Sequence, residues 1–349
     1  VTDTRDTRPV PPDSPAVDAR PAPAAGRSRD VAVARLRDLA LIPAIVAIGV
    51  VGYVVSPVFL THQNLVNVLQ QQSEIALVVL AEALILIAGK FDLSLESTVG
   101  IAPGLAAWLV LPPGVAHGLG LVPGAWSVPI VLGTGAVIGA FNGLLIVRFG
   151  LNAFIVTLGM LITLRGLLTG ISGGKTFFNL PASFRYLGTA TWLDLPASIW
   201  ICLLAYAAGI AVLALLRPGR ALYAIGGNTD AARAAGIRTG RVLWLTLALA
   251  GMLAALAGLL LSGRLASVAS AQGNGWIFTV FAAAVIGGVS LNGGRGTLFG
   301  AFTGILLLYL IQNVLTLGGV PAQWIDALNG GIILVALVLA RVTTGKAQE

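Results

Sequence analysis

Five side chains that could do chemistry sit inside stretches built mostly of Leu, Val, Ile, Ala and Gly: Glu82, Asn142, Arg165, Gln312 and Asn313. A sixth, Asp92, falls at a junction between two such stretches, in Gly89-Lys90-Phe91-Asp92-Leu93-Ser94. A polar group inside an apolar span is costly unless it meets a cavity or a partner. Glu82, Asp92 and Arg165 could therefore gate a path or relay a proton or cation, and Asn142, Gln312 and Asn313 could line a polar conduit. Each also has a structural reading. Glu82 would be paired or neutral, Asp92 would cap the next helix, Arg165 would reach the outer interface, and the amides would bond helix to helix. Gln70, Gln71 and Gln72 raise the same choice.

Bond-making chemistry finds little support. Cys202 is the single cysteine, and the two histidines, His62 and His117, lie near the ends of apolar runs. No metal-ligand cluster, paired carboxylates, Cys/His dyad or Ser/His/Asp set is evident. Gly293-Gly294-Arg295-Gly296-Thr297 is glycine-rich but lacks the lysine of a phosphate-binding loop. The expectation is a non-catalytic chain that binds no metal or cofactor and does not hydrolyse ATP alone.

The elements that must hold these side chains are membrane helices. The 349 residues are 57% hydrophobic and 10% charged, with mean hydropathy +0.92, too apolar for a soluble domain. Continuous apolar runs, not alternating strands, point to an all-α membrane protein. The predicted spans are 39–60, 68–89, 94–111, 128–148, 153–172, 197–216, 242–262, 275–292, 297–317 and 324–341, about ten in all. Pro103, Pro112 and Pro113 interrupt the third, and 112–127 reads as partly re-entrant. Residues 1–38, rich in Pro, Asp, Ala and Arg, read as a disordered cytosolic tail. Residues 39–342 form the membrane domain and 343–349 a second cytosolic tail. The first apolar run is too long for a signal peptide and reads as an uncleaved helix.

A polar island, 217–241, interrupts this pattern with Arg217, Arg220, Arg233, Arg238 and Arg241 and one acidic residue, Asp230. An N-in, C-in topology puts fourteen basic residues inside, counted from Arg27 and including the island, against Lys175, Arg185 and Arg264 outside. The net charge of +7 is then a record of cytosolic loops, and no nucleic-acid motif accompanies it. The outer segment 173–196 carries Phe177, Phe178, Phe184, Tyr186 and Trp192, either as an interfacial aromatic belt or as a docking surface. Two echoes suggest pseudo-repeated halves. Ile138-Gly139-Ala140-Phe141-Asn142-Gly143 is similar to Phe299-Gly300-Ala301-Phe302-Thr303-Gly304, and Gly89-Lys90-Phe91-Asp92-Leu93 to Gly287-Gly288-Val289-Ser290-Leu291. Glycines four apart, as at Gly135, Gly139 and Gly143, let helices pack closely.

The island resembles the coupling segment of the sugar-type permeases of ATP-binding-cassette importers, the ribose, xylose, arabinose and autoinducer-2 group. The residues that carry the likeness are Gly219-Arg220, Ala224-Ile225-Gly226-Gly227-Asn228, Ala231-Ala232-Arg233 and Gly236-Ile237. Asn152–Met160 with Arg165-Gly166-Leu167, and Phe281–Leu291 with Gly293–Thr297, extend it over about residues 40–341. The family's Gly-Gly-Ile-Asp-Leu-Ser-Val-Gly stands here as Gly89-Lys90-Phe91-Asp92-Leu93-Ser94-Leu95-Glu96, so Lys90 and Glu96 are departures.

The resemblance implies a multi-pass subunit of a bacterial cytoplasmic (inner) membrane. Two permease chains, identical or paralogous, would form the path. An extracytoplasmic solute-binding protein would deliver a small sugar or related polyol, and cytosolic ATPase subunits would bind ATP and Mg. The short helix near Asn228–Ala235 would dock on the ATPase, with Gly226, Gly227 and Gly236 at its turns, Asn228 as its N-cap, and Ala231, Ala232 and Arg233 on the helix. A nucleoside or branched-chain amino acid permease of the same class is the alternative. From another class, an ion-coupled secondary transporter would use Glu82, Asp92 and Arg165 as a relay. A membrane-embedded enzyme is disfavoured by the missing catalytic set.

Overall fold

The computed structural model describes residues 41–114, 117–321, 323–325, 327–328 and 330–331. The tails at 1–38 and 343–349 lie outside these residues, and so does most of the expected last span, 324–341. The other nine apolar runs are all helical, but of two kinds. Six helices are long and apolar enough to cross a membrane. They are α2 (His62–Ile87), α4 (Ser127–Gly143, extended by a wider π turn over Leu144–Arg148), α5 (Ala153–Ser172), α7 (Ala197–Leu215), α10 (Thr239–Leu265) and α12 (Leu298–Leu317). Three are shorter: α1 (Ile42–Val55), α3 (Leu95–Val110) and α11 (Trp276–Ile286). Among the described residues the structure thus has six long helices where the sequence predicts nine full spans.

Local chemistry explains several boundaries. Thr61, Asn152 and Thr297 cap α2, α5 and α12 by accepting the N–H groups of Asn64, Ile155 and Gly300. α3 runs unbroken through Pro103, where the sequence suggests an interruption. A membrane helix tolerates proline when its neighbours enclose it, and α3 is buried along most of its length.

The helices form an inner and an outer set. α2 from Gln72 onward is almost wholly enclosed, and α10 is largely so. α5 and α7 bury less than a third of their apolar windows and expose Phe154, Ile155, Ile162 and Leu204. α10 is the hub and packs on α4, α2 and α3. Its crossing with α4 is backbone on backbone. A methyl group on Gly139 would overlap the Leu247 carbonyl, and one on Gly251 would overlap that of Gly135. α11 and α12 cross in the same way, Gly300 on Gly287 and Gly304 on Ala283. Glycines of the two echoed motifs therefore both serve helix crossings.

Two polar segments are also built. In 173–196, helix α6 (Ala182–Thr189) and a small antiparallel hairpin (β1, Thr191–Trp192; β2, Leu195–Pro196) fold back on the bundle. This divides the aromatics: Phe177 and Phe184 are fully buried, while Phe178 and Tyr186 are exposed. The belt reading fails for the first pair: Phe184 rides on α6, whose Gly188 lies on the backbone of Leu260 and Arg264, and Phe177 is held by its backbone bridge to Val268. The island forms α8 (Arg217–Gly227) and α9 (Thr229–Ala234). Leu222, Ile225 and Ala232 sink into the same core as α2 and α10, so the island is docked on the bundle.

Candidate translocation and coupling site

The polar residues inside the bundle divide into separate clusters. The first gathers Glu82, Asp92, Ser94 and Asn142, all buried. α2 supplies Glu82, the α2–α3 turn supplies Asp92 and Ser94, and α4 supplies Asn142. One Asp92 carboxylate oxygen accepts from the Ser94 amide at 2.9 Å and from its hydroxyl at 2.6 Å. Asn142 donates to Ser94 Oγ at 2.8 Å and reaches the other Asp92 oxygen at 3.5 Å. The Asp92 amide donates to Glu82 Oε1 at 3.4 Å. Among the described residues Glu82 Oε2 and the Asn142 side-chain oxygen find no partner. Asp92 does not cap the free N–H groups of α3, which has no side-chain cap; it bonds Ser94, the residue just ahead of the helix, and a buried node is built on that contact.

A second cluster is the ion pair of Glu96 and Arg165. Glu96 also accepts the Ile277 amide at 3.0 Å, at the N-terminus of α11, where a carboxylate is favoured. Arg165 thus turns inward to a carboxylate on α3, where the sequence suggests a side chain reaching the interface. Glu96, met in the sequence only as a departure from a family pattern, ties α3, α5 and α11 together. Gln272, beside it in the bundle, bonds the Val99 carbonyl at 2.9 Å and Ser262 at 2.9 Å.

Glu74 and Arg264 form a third pair that the sequence reading missed. Arg264 grips both Glu74 oxygens, at 2.6 and 2.8 Å. The available signal was spacing: Glu74 lies eight residues before Glu82 on one helix, hence on a similar face.

The remaining candidates stand apart. Asn313 exchanges hydrogen bonds with Asn64 at 2.9 and 3.1 Å, joining α12 to α2. Gln312 is exposed. Neither meets the Asp92 node. Gln72 is buried with an Nε2 that is unpaired among the described residues, whereas Gln70 donates to the Gly188 carbonyl at 3.4 Å and Gln71 is exposed.

On the island the expected N-cap is in place. Asn228 Oδ1 accepts the amides of Asp230 at 3.0 Å and Ala231 at 2.9 Å. Gly236, at φ +83°, makes the turn that follows. Gly226 does not turn the chain: it lies inside α8, with its Cα face against the Ile87 carbonyl and the Gly294 amide. Gly227 is exposed and open. α9 has two sides. Ala232 is buried in the bundle core, while Ala231, Arg233, Ala234 and Ala235 face outward.

The two regions are joined by backbone. The Gly294 amide donates to the Ile87 carbonyl at 2.8 Å, and Gly226 packs on both. Gly293 lies against Gly89, whose φ of +72° turns the chain out of α2 towards Asp92. Tyr223 of α8 donates to the Gly296 carbonyl at 2.8 Å. Thus α8 rests on the turn that carries Asp92.

Comparison with known proteins places this arrangement. The family described as "Branched-chain amino acid transport system / permease component" matches residues 64–337. The chain is 35% identical over 307 residues to the autoinducer 2 import system permease protein of Enterobacter sp. (strain 638), covering 87% of this chain and 86% of that one. It is 34% identical over 303 residues to the ribose import permease protein of Escherichia coli (strain K12), covering 86% and 92%. For the ribose import permease protein of Haemophilus influenzae the identity is 30% over 298 residues. No solved structure matches.

Proposed function

The chain belongs to the family of branched-chain amino acid transport system permease components, and on that premise we propose that it is the permease subunit of an ABC importer. Its cargo is a small sugar or related polyol. Likeness to ribose and autoinducer 2 import permeases over most of both chains supports that cargo class. It is a multi-pass subunit of the bacterial inner membrane, with about ten spans, N-in and C-in. ATP and Mg bind the partner ATPase. A solute-binding protein delivers cargo from outside, and a second permease chain completes the path.

The observation that carries the mechanism is the contact between Gly226 and the Gly89 and Gly293–Gly294 turns. The outward side of α9, with Ala231, Arg233, Ala234 and Ala235, meets the ATPase. Its inward side, through Ala232, and the adjoining α8 are packed on the bundle. When ATP draws the ATPase subunits together, α9 and α8 move as one body. Gly226 passes that displacement to the turn ahead of Asp92. The Glu82–Asp92–Ser94–Asn142 node, which spans α2, the turn and α4, then changes partners as the path switches from outward- to inward-facing. Arg165 and Glu96 hold α3, α5 and α11 in register during that motion.

Uptake into vesicles tests this reading. The purified permease is reconstituted with an ATPase and a binding protein of the ribose type, and radiolabelled ribose is supplied outside. The expected result is uptake that requires ATP, the ATPase and the binding protein together. Uptake driven by a proton or sodium gradient in vesicles without any ATPase would overturn it in favour of the ion-coupled class.

A further inference from the structure

A groove of about 920 Å³ opens between the island and the bundle, near the upper end of the usual range for small-molecule pockets. Four arginines stand at its polar end: Arg217 and Arg220 on α8, and Arg238 and Arg241 at the start of α10. Its walls are otherwise apolar, with Val212 from α7, Leu84 from α2, and Val242, Leu245 and Leu249 from α10. Among the described residues no acidic one lines it. None of the four arginines has a carboxylate partner among the described residues, although Arg165, Arg233 and Arg264 all do. The helices α8 and α10 both begin here, and neither has a side-chain cap. Their positive ends therefore add to the charge of the arginines.

The order along α10 is the informative part. Arg241, Leu245 and Leu249 are four residues apart and share one face. A cation thus stands above two leucines that are about half exposed, Leu245 at 51% and Leu249 at 43%. Val212 of α7 and Leu84 of α2 complete this apolar wall. The sequence of chemistry is positive charge at the membrane boundary, then an apolar channel open along the bundle's flank. A soluble anion would use only the upper part, and a peptide would need hydrogen-bond partners that the lower part does not offer.

We propose that the groove between α8 and α10 binds an anionic phospholipid. Its phosphate sits among Arg217, Arg220, Arg238 and Arg241, and an acyl chain lies along Leu245 and Leu249. The lipid wedges beneath the island and holds it at the membrane surface. Basic residues at that boundary favour anionic headgroups over zwitterionic ones.

The test is lipid retention by the purified full chain in detergent, read by native mass spectrometry after exposure to equal phosphatidylglycerol and phosphatidylcholine. At least one phosphatidylglycerol per chain should be retained, preferred roughly tenfold. Arg238→Gln combined with Arg241→Gln should abolish the preference, while the Arg238→Lys, Arg241→Lys pair keeps most of it. Leu249→Trp, which fills the apolar channel, should lower retention of both lipids. All variants are first checked for an unchanged size-exclusion profile. Equal retention of the two lipids, or a preference that survives the glutamine pair, overturns the proposal. So does displacement of the lipid by millimolar inorganic phosphate, which would mark a free-anion site. Intact lipid preference with lost ATPase co-purification would assign the arginines to the ATPase contact instead. Transport is not the readout, so failure here leaves the import reading untouched.

Discussion

Glu82 is fully buried, and among the described residues one of its oxygens accepts only the Asp92 amide while the other has no partner. A buried carboxyl with so little compensation adds nothing to stability. Glu82→Gln keeps the acceptor for Asp92 and removes the titratable carboxyl, so thermal stability in detergent should hold or rise by about 1 kcal/mol. ATP-driven uptake should also persist, which would exclude a relay through this carboxyl. Glu96 is the opposite case. It is 3% exposed and holds both Arg165 and the Ile277 amide. Glu96→Ala removes both acceptors and should cost about 2–3 kcal/mol in an unfolding titration, below the buried-pair range because Arg165 is 35% exposed and can reach water. Glu96→Gln still accepts from Ile277 and should cost less than half as much. Equal losses would mean that the α11 terminus draws nothing from Glu96.

At the scale of the element, adjacent glycines and alanines of the island separate. The Cα face of Gly226 lies against backbone on two other turns, whereas a side chain on Gly227 would point into open space. Gly226→Ala should therefore lower folded yield, since a methyl group would overlap the Ile87 carbonyl. Gly227→Trp should leave yield unchanged and abolish ATPase co-purification. α9 makes the same division. Ala232→Asp places a carboxylate in the bundle core and should destabilise the chain by about 3 kcal/mol. Ala235→Asp, on the exposed side, should leave stability within about 0.5 kcal/mol and reduce ATP-coupled uptake. Normal uptake by both Gly227→Trp and Ala235→Asp would remove this surface from coupling.

For the whole molecule, the organising fact is the hub helix α10, which packs on α4 through Gly135, Gly139 and Gly251. Gly139→Leu should separate the two helices and prevent folding, seen as loss of monodisperse protein after extraction. The same substitution at Gly159, which meets nothing within 4 Å on the peripheral α5, should be tolerated. The peripheral helices expose apolar side chains, and the hub is where the backbones touch. The path from α8 to the Asp92 node is short, because both rest on the glycine turns at 89 and 293–294.

Much of this was legible in the residues. Continuous apolar runs determine the membrane helices, since a lipid-facing backbone must satisfy its hydrogen bonds internally. Asn228, Thr297 and Asn152 mark real helix starts, because caps act over three residues and need no tertiary partner. The matching of the island to a family pattern fixed the functional class. Only the tertiary structure decided which polar groups meet. Glu96 finds Arg165 across 69 residues and Glu74 finds Arg264 across 190. Asn313 leaves the supposed conduit for Asn64, and Ala232 turns inward while Ala231 turns out. Helical period places a residue on a face, but which neighbour that face meets depends on how helices cross, and the crossings here are set by glycines whose partners lie far along the chain.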